Sequence, residues 1–178
     1  MLDYSQIRTI LPHGHPMVLV DCVLSFEPGV SITSIKAITG SEPCYSGLPV
    51  GLELGSYAYP TSLLLESFGQ TAAILWLKSV RPPNVDRNNL FMFAVARNCR
   101  IEGRAFPGDV VRHVARLDHV VGDNVFVSGE TCIGHRRIAT MGSMIATVRA
   151  RCIVIERATT QDSARIKLPI RDSRSCQL

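Results

Sequence analysis

Glu66 and Gln70 stand four apart in Pro60-Thr-Ser-Leu-Leu-Leu-Glu66-Ser-Phe-Gly-Gln70, which runs on into Thr-Ala-Ala-Ile-Leu-Trp76. At that spacing they share one stripe of a helix. The residues around them leave no broad polar face, so the helix is expected to be buried nearly all round. A carboxylate in such surroundings needs a partner, a raised pKa or a chemical task. Two readings of Glu66 stand: an acid–base group, or a carboxylate satisfied by local hydrogen bonds. Gln70 reads as a positioning amide. Proline at 60 suits the first helical position, where a missing N–H costs nothing.

The elements that must hold this helix can be read from the rest of the chain. Asp3 to Leu11 reads as a short helix ended by Pro12, and Met17 to Phe26 is rich in strand formers. Glu27-Pro-Gly29 signals a turn, and Val30 to Ile38 reads as a strand pairing with the first. A loop with many glycines and prolines, 40–59, precedes the helix, expected over Thr61 to Val80. Loops of that length inside a compact domain are usually functional or mobile. After a break at Arg81 to Asn89 come strands at Leu90 to Ala96, Asn98 to Glu102, Val110 to Val120, Asn124 to Ile133 and Ile138 to Ile155, with hairpin turns at 121–124 and 134–137. Strands flanking one long helix predict an α+β fold with a curved antiparallel sheet wrapped around it. A helix apolar on all sides asks for more cover than one sheet, so a dimer partner is expected.

Composition narrows the classes. The chain has 178 residues, 46% hydrophobic and 19% charged, which predicts one globular domain, taken as 1–157. The polar stretch 158–178 lacks periodicity and reads as a flexible tail. No apolar run reaches membrane-spanning length and no leader pattern opens the chain, so a soluble, cytoplasmic protein is expected. The net charge of +4 suits an acidic protein partner, and no aromatic–basic interleaving points to nucleic acid. The six cysteines form no C-x-x-C pair, so neither zinc nor disulfides are expected.

Four motifs then carry a family resemblance. Ile10 to Asp21 (Ile-Leu-Pro-His-Gly-His-Pro-Met-Val-Leu-Val-Asp), Glu42-Pro-Cys-Tyr-Ser-Gly47, Pro60 to Gln70, and Phe106-Pro-Gly-Asp109 resemble, in order, motifs of the FabZ-type (3R)-hydroxyacyl-acyl-carrier-protein dehydratases. The resemblance covers most of residues 6 to 155. It implies a hot-dog fold, a dimer with two sites built across the interface, and a substrate delivered by acyl carrier protein. It also implies that no metal or organic cofactor is used. In the family a histidine follows the glycine matched by Gly47 and removes the α-proton. A glutamate matched by Glu66, from the other subunit, helps the β-hydroxyl leave. These roles need two ionisable groups with separated pKa values.

The chain departs from that pattern where the base belongs. Leu48 follows Gly47, and leucine accepts no proton. The segment up to Pro60 is longer than the family's by about four residues, and Thr61 stands where the family opens its helix with glycine. The resemblance therefore implies a subunit that supplies Glu66 and pairs with a homologous, histidine-bearing subunit. Departures of this kind suit fatty acid-like, polyketide or polyene assembly. Gln70, Thr61, Gly47, Leu48 and Tyr57 are the expected substrate-binding residues, and Glu53 is a further candidate to line the tunnel. The alternatives are a homodimer with altered acyl-thioester chemistry (thioesterase, hydratase or isomerase) and a non-catalytic scaffold or acyl-binding subunit. His13 matches a family histidine other than the base, which makes it structural. It or His15 would replace the base only if the loop brought it beside Glu66. His113, His119 and His135 are expected on the surface, Cys44 as a packing residue, and Asp21 and Asp109 as strand-end and turn residues.

Overall fold

Asp3 accepts a hydrogen bond from the Gln6 N–H, and the Gln6 side chain accepts from the Asp3 N–H. This reciprocal cap starts the first helix, α1, Tyr4–Ile10. The computed structural model of the chain describes residues 1–79, 89–122 and 124–150. The expected tail, most of the break at 81–89 and the strand end at 151–155 lie outside the described residues.

The strand β1, Cys22–Glu27, begins five residues later than its strand formers suggest. The backbone of Met17 and Leu19 is hydrogen-bonded to side chains of the long helix instead of to a neighbouring strand. β2, Ser31–Ala37, pairs antiparallel with β1. The long helix, α2, spans Thr61–Ser79. The Pro60 carbonyl accepts from the Leu64 N–H, so Pro60 precedes the first helical residue and does not occupy it.

Four further strands follow: β3 (Asn89–Ile101), β4 (Val110–Val121), β5 (Asn124–Ile133) and β6 (Arg136–Ala150). The two short strands expected at 90–96 and 98–102 are one, β3. Asn98 carries the chain through with φ +53°, a left-handed conformation that asparagine tolerates better than most residues. The described strands form a six-stranded antiparallel sheet in the order β1-β2-β4-β5-β6-β3.

α2 packs on β2, β4 and β5, with α1 beside it. Residues Ser67 to Trp76 are all buried within the single chain. The chain itself supplies cover beyond the sheet, although Leu63, Leu65 and Leu77 stay only partly buried. The curved sheet covers it on one side, and the buried segment Val18–Val20 is hydrogen-bonded to it. Phe68, with no exposed surface, sits against Gly129 of β5, where a Cβ would fall 2.0 Å from the Val114 carbonyl oxygen and 2.9 Å from the Phe68 ring. Only glycine admits that approach.

A candidate site built from two half-sites

Gln70 is fully buried, and all three hydrogen-bonding capacities of its amide used here are satisfied. Its Oε1 accepts from the Leu19 N–H at 2.8 Å, and its Nε2 donates to the Met17 carbonyl at 2.7 Å and to Glu66 Oε1 at 2.9 Å. Exchanging oxygen and nitrogen would oppose donor to donor and acceptor to acceptor, so the partners fix the amide's orientation. One turn back, Ser67 Oγ donates to the Leu19 carbonyl at 2.6 Å. Two side chains of α2 thus hold the segment after Pro16, and the same amide holds Glu66.

His13, from the loop ahead of that segment, places Nε2 3.3 Å from Glu66 Oε1. The loop does bring this histidine beside the carboxylate, a position that the spacing of 53 residues could not disclose. Glu66 is half-buried. The His13 imidazole beside it, aided by the hydrogen bond from Gln70, holds its carboxyl below the ordinary carboxylate range, and burial acts in the opposite direction without prevailing. At neutral pH Glu66 is therefore ionised. It has partners, and its pKa is lowered, not raised.

A second polar network lies beneath. Ser67 Oγ, its proton committed to Leu19, is 2.9 Å from His113 Nε2, and His113 Nδ1 is 2.9 Å from Thr131 Oγ1. Nε2 must carry the hydrogen, and Nδ1 accepts from Thr131. His113 has no exposed surface, which corrects its expected place on the surface. It lies between Val111 and Ala115 on the inward face of β4, a period-two signal that alternation makes visible. Burial lowers its pKa to about 3, so it is a neutral core residue. His119 and His135 are exposed, as expected.

The other half of the expected site lies in the loop 40–59, where two single 3-10 turns, Pro43–Tyr45 and Leu54–Tyr57, interrupt irregular backbone. Its first part is anchored. Glu42 bonds the ammonium of buried Lys36, which also stands 3.9 Å from Asp21. Asp21 accepts from the Ala37 N–H and Asp109 from the Phe106 N–H, as strand-end and turn residues do. Cys44 packs partly buried against the core, and burial raises its thiol pKa, which suits packing more than nucleophilic attack.

Past Tyr45 the loop opens to solvent. Gly47 is exposed, Leu48 is 38% exposed, and Val50 is 98% exposed. Leu48 and Tyr57 line a concavity of about 390 Å³ with Gly40, Tyr45, Leu54 and Pro107. Glu53 is exposed and does not line it. Thr61 is exposed at the start of α2, where the first N–H groups lack helical partners and can meet a polar ligand atom.

The structure therefore joins Glu66 and Gln70 and adds His13, but it does not bring Leu48 or Tyr57 to them; the concavity's lining contains neither Glu66 nor Gln70. One half-site offers an ionised acceptor, the other an apolar wall with phenols. Among the described residues no group of three histidine, cysteine or acidic side chains could hold a metal, and no helix is long and apolar enough to cross a membrane.

No protein-family model matches the chain. It is 37% identical over 117 residues, 65% of this chain and 74% of the other, to the 3-hydroxyacyl-[acyl-carrier-protein] dehydratase FabZ of Pseudoalteromonas translucida. Among solved structures it is similar to the dehydratase heterocomplex ApeI:P from Xenorhabdus doucetiae, with a TM-score of 0.68 and 17% identity over 85% of this chain and 96% of that one. It is also similar to a hot-dog-like protein from Thermanaerovibrio acidaminovorans, with a TM-score of 0.54 and 19% identity over 76% and 93%. The structural likeness establishes the hot-dog fold.

Proposed function

We propose a function from one premise: the chain belongs to the family of FabZ-type 3-hydroxyacyl-acyl-carrier-protein dehydratases. Within that family, it is the carboxylate-bearing subunit of a hetero-oligomeric dehydratase. A homologous subunit supplies the histidine. The observation that carries this reading is the division of the site. Glu66 is held in place on α2, and the loop position of the base is Leu48, which lines a concavity and can accept no proton.

Elimination of water from a 3-hydroxyacyl thioester needs three events. A base takes the proton on the α-carbon, the β-carbon–oxygen bond breaks, and the departing oxygen gains a proton. The partner's histidine performs the first. Glu66, as an ionised acceptor, orients the β-hydroxyl and the water through which the protonated histidine returns that same proton to the departing oxygen, so that water is released and both groups regain their starting states. The first N–H groups of α2, from Thr61 onward, face the thioester oxygen. Tyr57, Leu48 and Gly47 bound the acyl passage, and Gln70 keeps Glu66 in place. Acid–base chemistry suffices, so no cofactor is assigned. The substrate arrives on acyl carrier protein in the cytoplasm, within fatty acid-like, polyketide or polyene synthesis. Nucleic acid has no part in it.

Purification of the tagged chain from its native cells tests this. The expected product is a complex with a homologous subunit that carries Gly-His where this chain has Gly47-Leu48. That complex dehydrates 3-hydroxyacyl-acyl carrier protein, and this chain alone does not. A homodimer with full turnover would overturn the reading in favour of altered chemistry within one chain. The 3.3 Å approach of His13 to Glu66 is the observation that favours that second reading.

A further inference from the structure

We propose that His13 is a positioning residue for Glu66, which it and Gln70 clamp by a single oxygen so that the other oxygen faces the substrate. The proposal rests on the reading of Glu66 as the site carboxylate. Both contacts fall on Oε1, from Gln70 Nε2 at 2.9 Å and from His13 Nε2 at 3.3 Å. Oε2 accepts no hydrogen bond from the described residues, and the Glu66 side chain is 31% exposed. A hydrogen bond and an imidazole contact on one oxygen, from different elements, fix the plane of the carboxylate better than either alone.

Both groups are themselves held. Gln70 is locked by the backbone at Met17 and Leu19. His13 buries its Nδ1 with no hydrogen-bond partner among the described residues, so its ring is held by packing and by the contact with Glu66. Other ionisable groups of the neighbouring elements are engaged elsewhere or point away. His15 is exposed, Asp21 and Lys36 face each other, His113 bonds Ser67 and Thr131, and Lys78 lies at the far end of α2.

The resulting device differs from a general acid. A carboxylate kept ionised by His13 and Gln70 accepts a hydrogen bond from the β-hydroxyl or its water but has no proton of its own to give at neutral pH. Activity should then fall on the acid side as Glu66 is protonated. Removal of His13 should move that fall to higher pH, because the largest influence lowering the carboxyl pKa is lost.

Two readouts test this in the full chain. In the first, the side-chain carboxyl of Glu66 is titrated by carbon NMR in wild type, His13→Ala and His13→Gln, without any partner or substrate. The midpoint should rise in His13→Ala and return part of the way in His13→Gln, whose amide can still donate. An unchanged midpoint in His13→Ala, with the fold intact by its amide spectrum, would overturn the proposal. In the second, the active assembly carrying His13→Ala should lose roughly tenfold to a hundredfold in kcat with KM little changed, and its acid limb should shift upward. An unchanged kcat and acid limb would overturn it as well. If no assembly dehydrates the substrate, the function proposed above fails, and the titration still decides the role of His13.

Discussion

The two ends of the loop preceding α2 are built differently. At the helix, Ser67 and Gln70 are tied to the segment after Pro16, and Glu66 to Gln70, by bonds of 2.6–2.9 Å, and Leu19, Ser67 and Gln70 are buried. In the loop, Tyr57 Oη reaches the Pro49 carbonyl at 3.4 Å, and Leu48, Val50 and Leu54 turn apolar side chains to solvent. A group that must be aimed is fixed by buried polar bonds, because leaving any of them unmade is costly. The exposed apolar side chains of Leu48, Val50 and Leu54 carry no group that needs aiming within the chain. The contrast therefore sets Glu66 apart as the group this chain aims, which is what the proposed pairing with a histidine-bearing subunit requires.

Substitutions at the tied end should have the larger effects. Glu66→Gln preserves shape and removes the charge, so in the active assembly it should lower kcat about 10²- to 10⁴-fold, with stability little changed, as steady-state kinetics and thermal melts would show. Gln70→Leu strands the Leu19 N–H and the Met17 carbonyl and releases Glu66. Denaturant titration should find a loss of about 1–3 kcal/mol for each buried group left unpaired.

His113 sharpens the comparison through pH. Its folded value of about 3 lies below the ordinary 6.5, so protonation favours the unfolded chain. This contribution to stability is complete above about pH 6.5 and is lost as pH falls toward 3, by at most about 1.4 kcal/mol per pH unit. His113→Gln should flatten that slope in urea titrations at successive pH values; an equal slope in both proteins would contradict a neutral, buried histidine. At the loop end, Val50→Ser should change stability by less than about 0.5 kcal/mol. A larger loss in the isolated chain would mean that the loop is anchored more firmly than its exposure suggests.

Much of the tied end is legible in the sequence, because helical spacing alone puts Glu66 and Gln70 on one stripe and the apolar run marks the helix. The late start of β1 is not, because Met17–Val20 has strand composition but spends its backbone bonds on Gln70 and Ser67. His113 was legible in principle, since Val111, His113 and Ala115 alternate inward along β4. Its polarity argued for the surface, and only the hydroxyls of Ser67 and Thr131, remote in sequence, make burial affordable. The meeting of His13 with Glu66 depends on the path of residues 12–16 across α2, which local pattern does not specify. The separation of Leu48 and Tyr57 from Glu66 is likewise a property of the folded chain.

The central claim is that Glu66 faces a histidine from another subunit. In the mixed assembly, the carboxylate of each subunit's central helix can be removed in turn. Glu66→Gln should abolish dehydration of 3-hydroxyacyl-acyl carrier protein, and removal of the partner's own helix carboxylate, which would face Leu48, should leave turnover intact. The reverse pattern, or full activity with Glu66→Gln, would contradict the account.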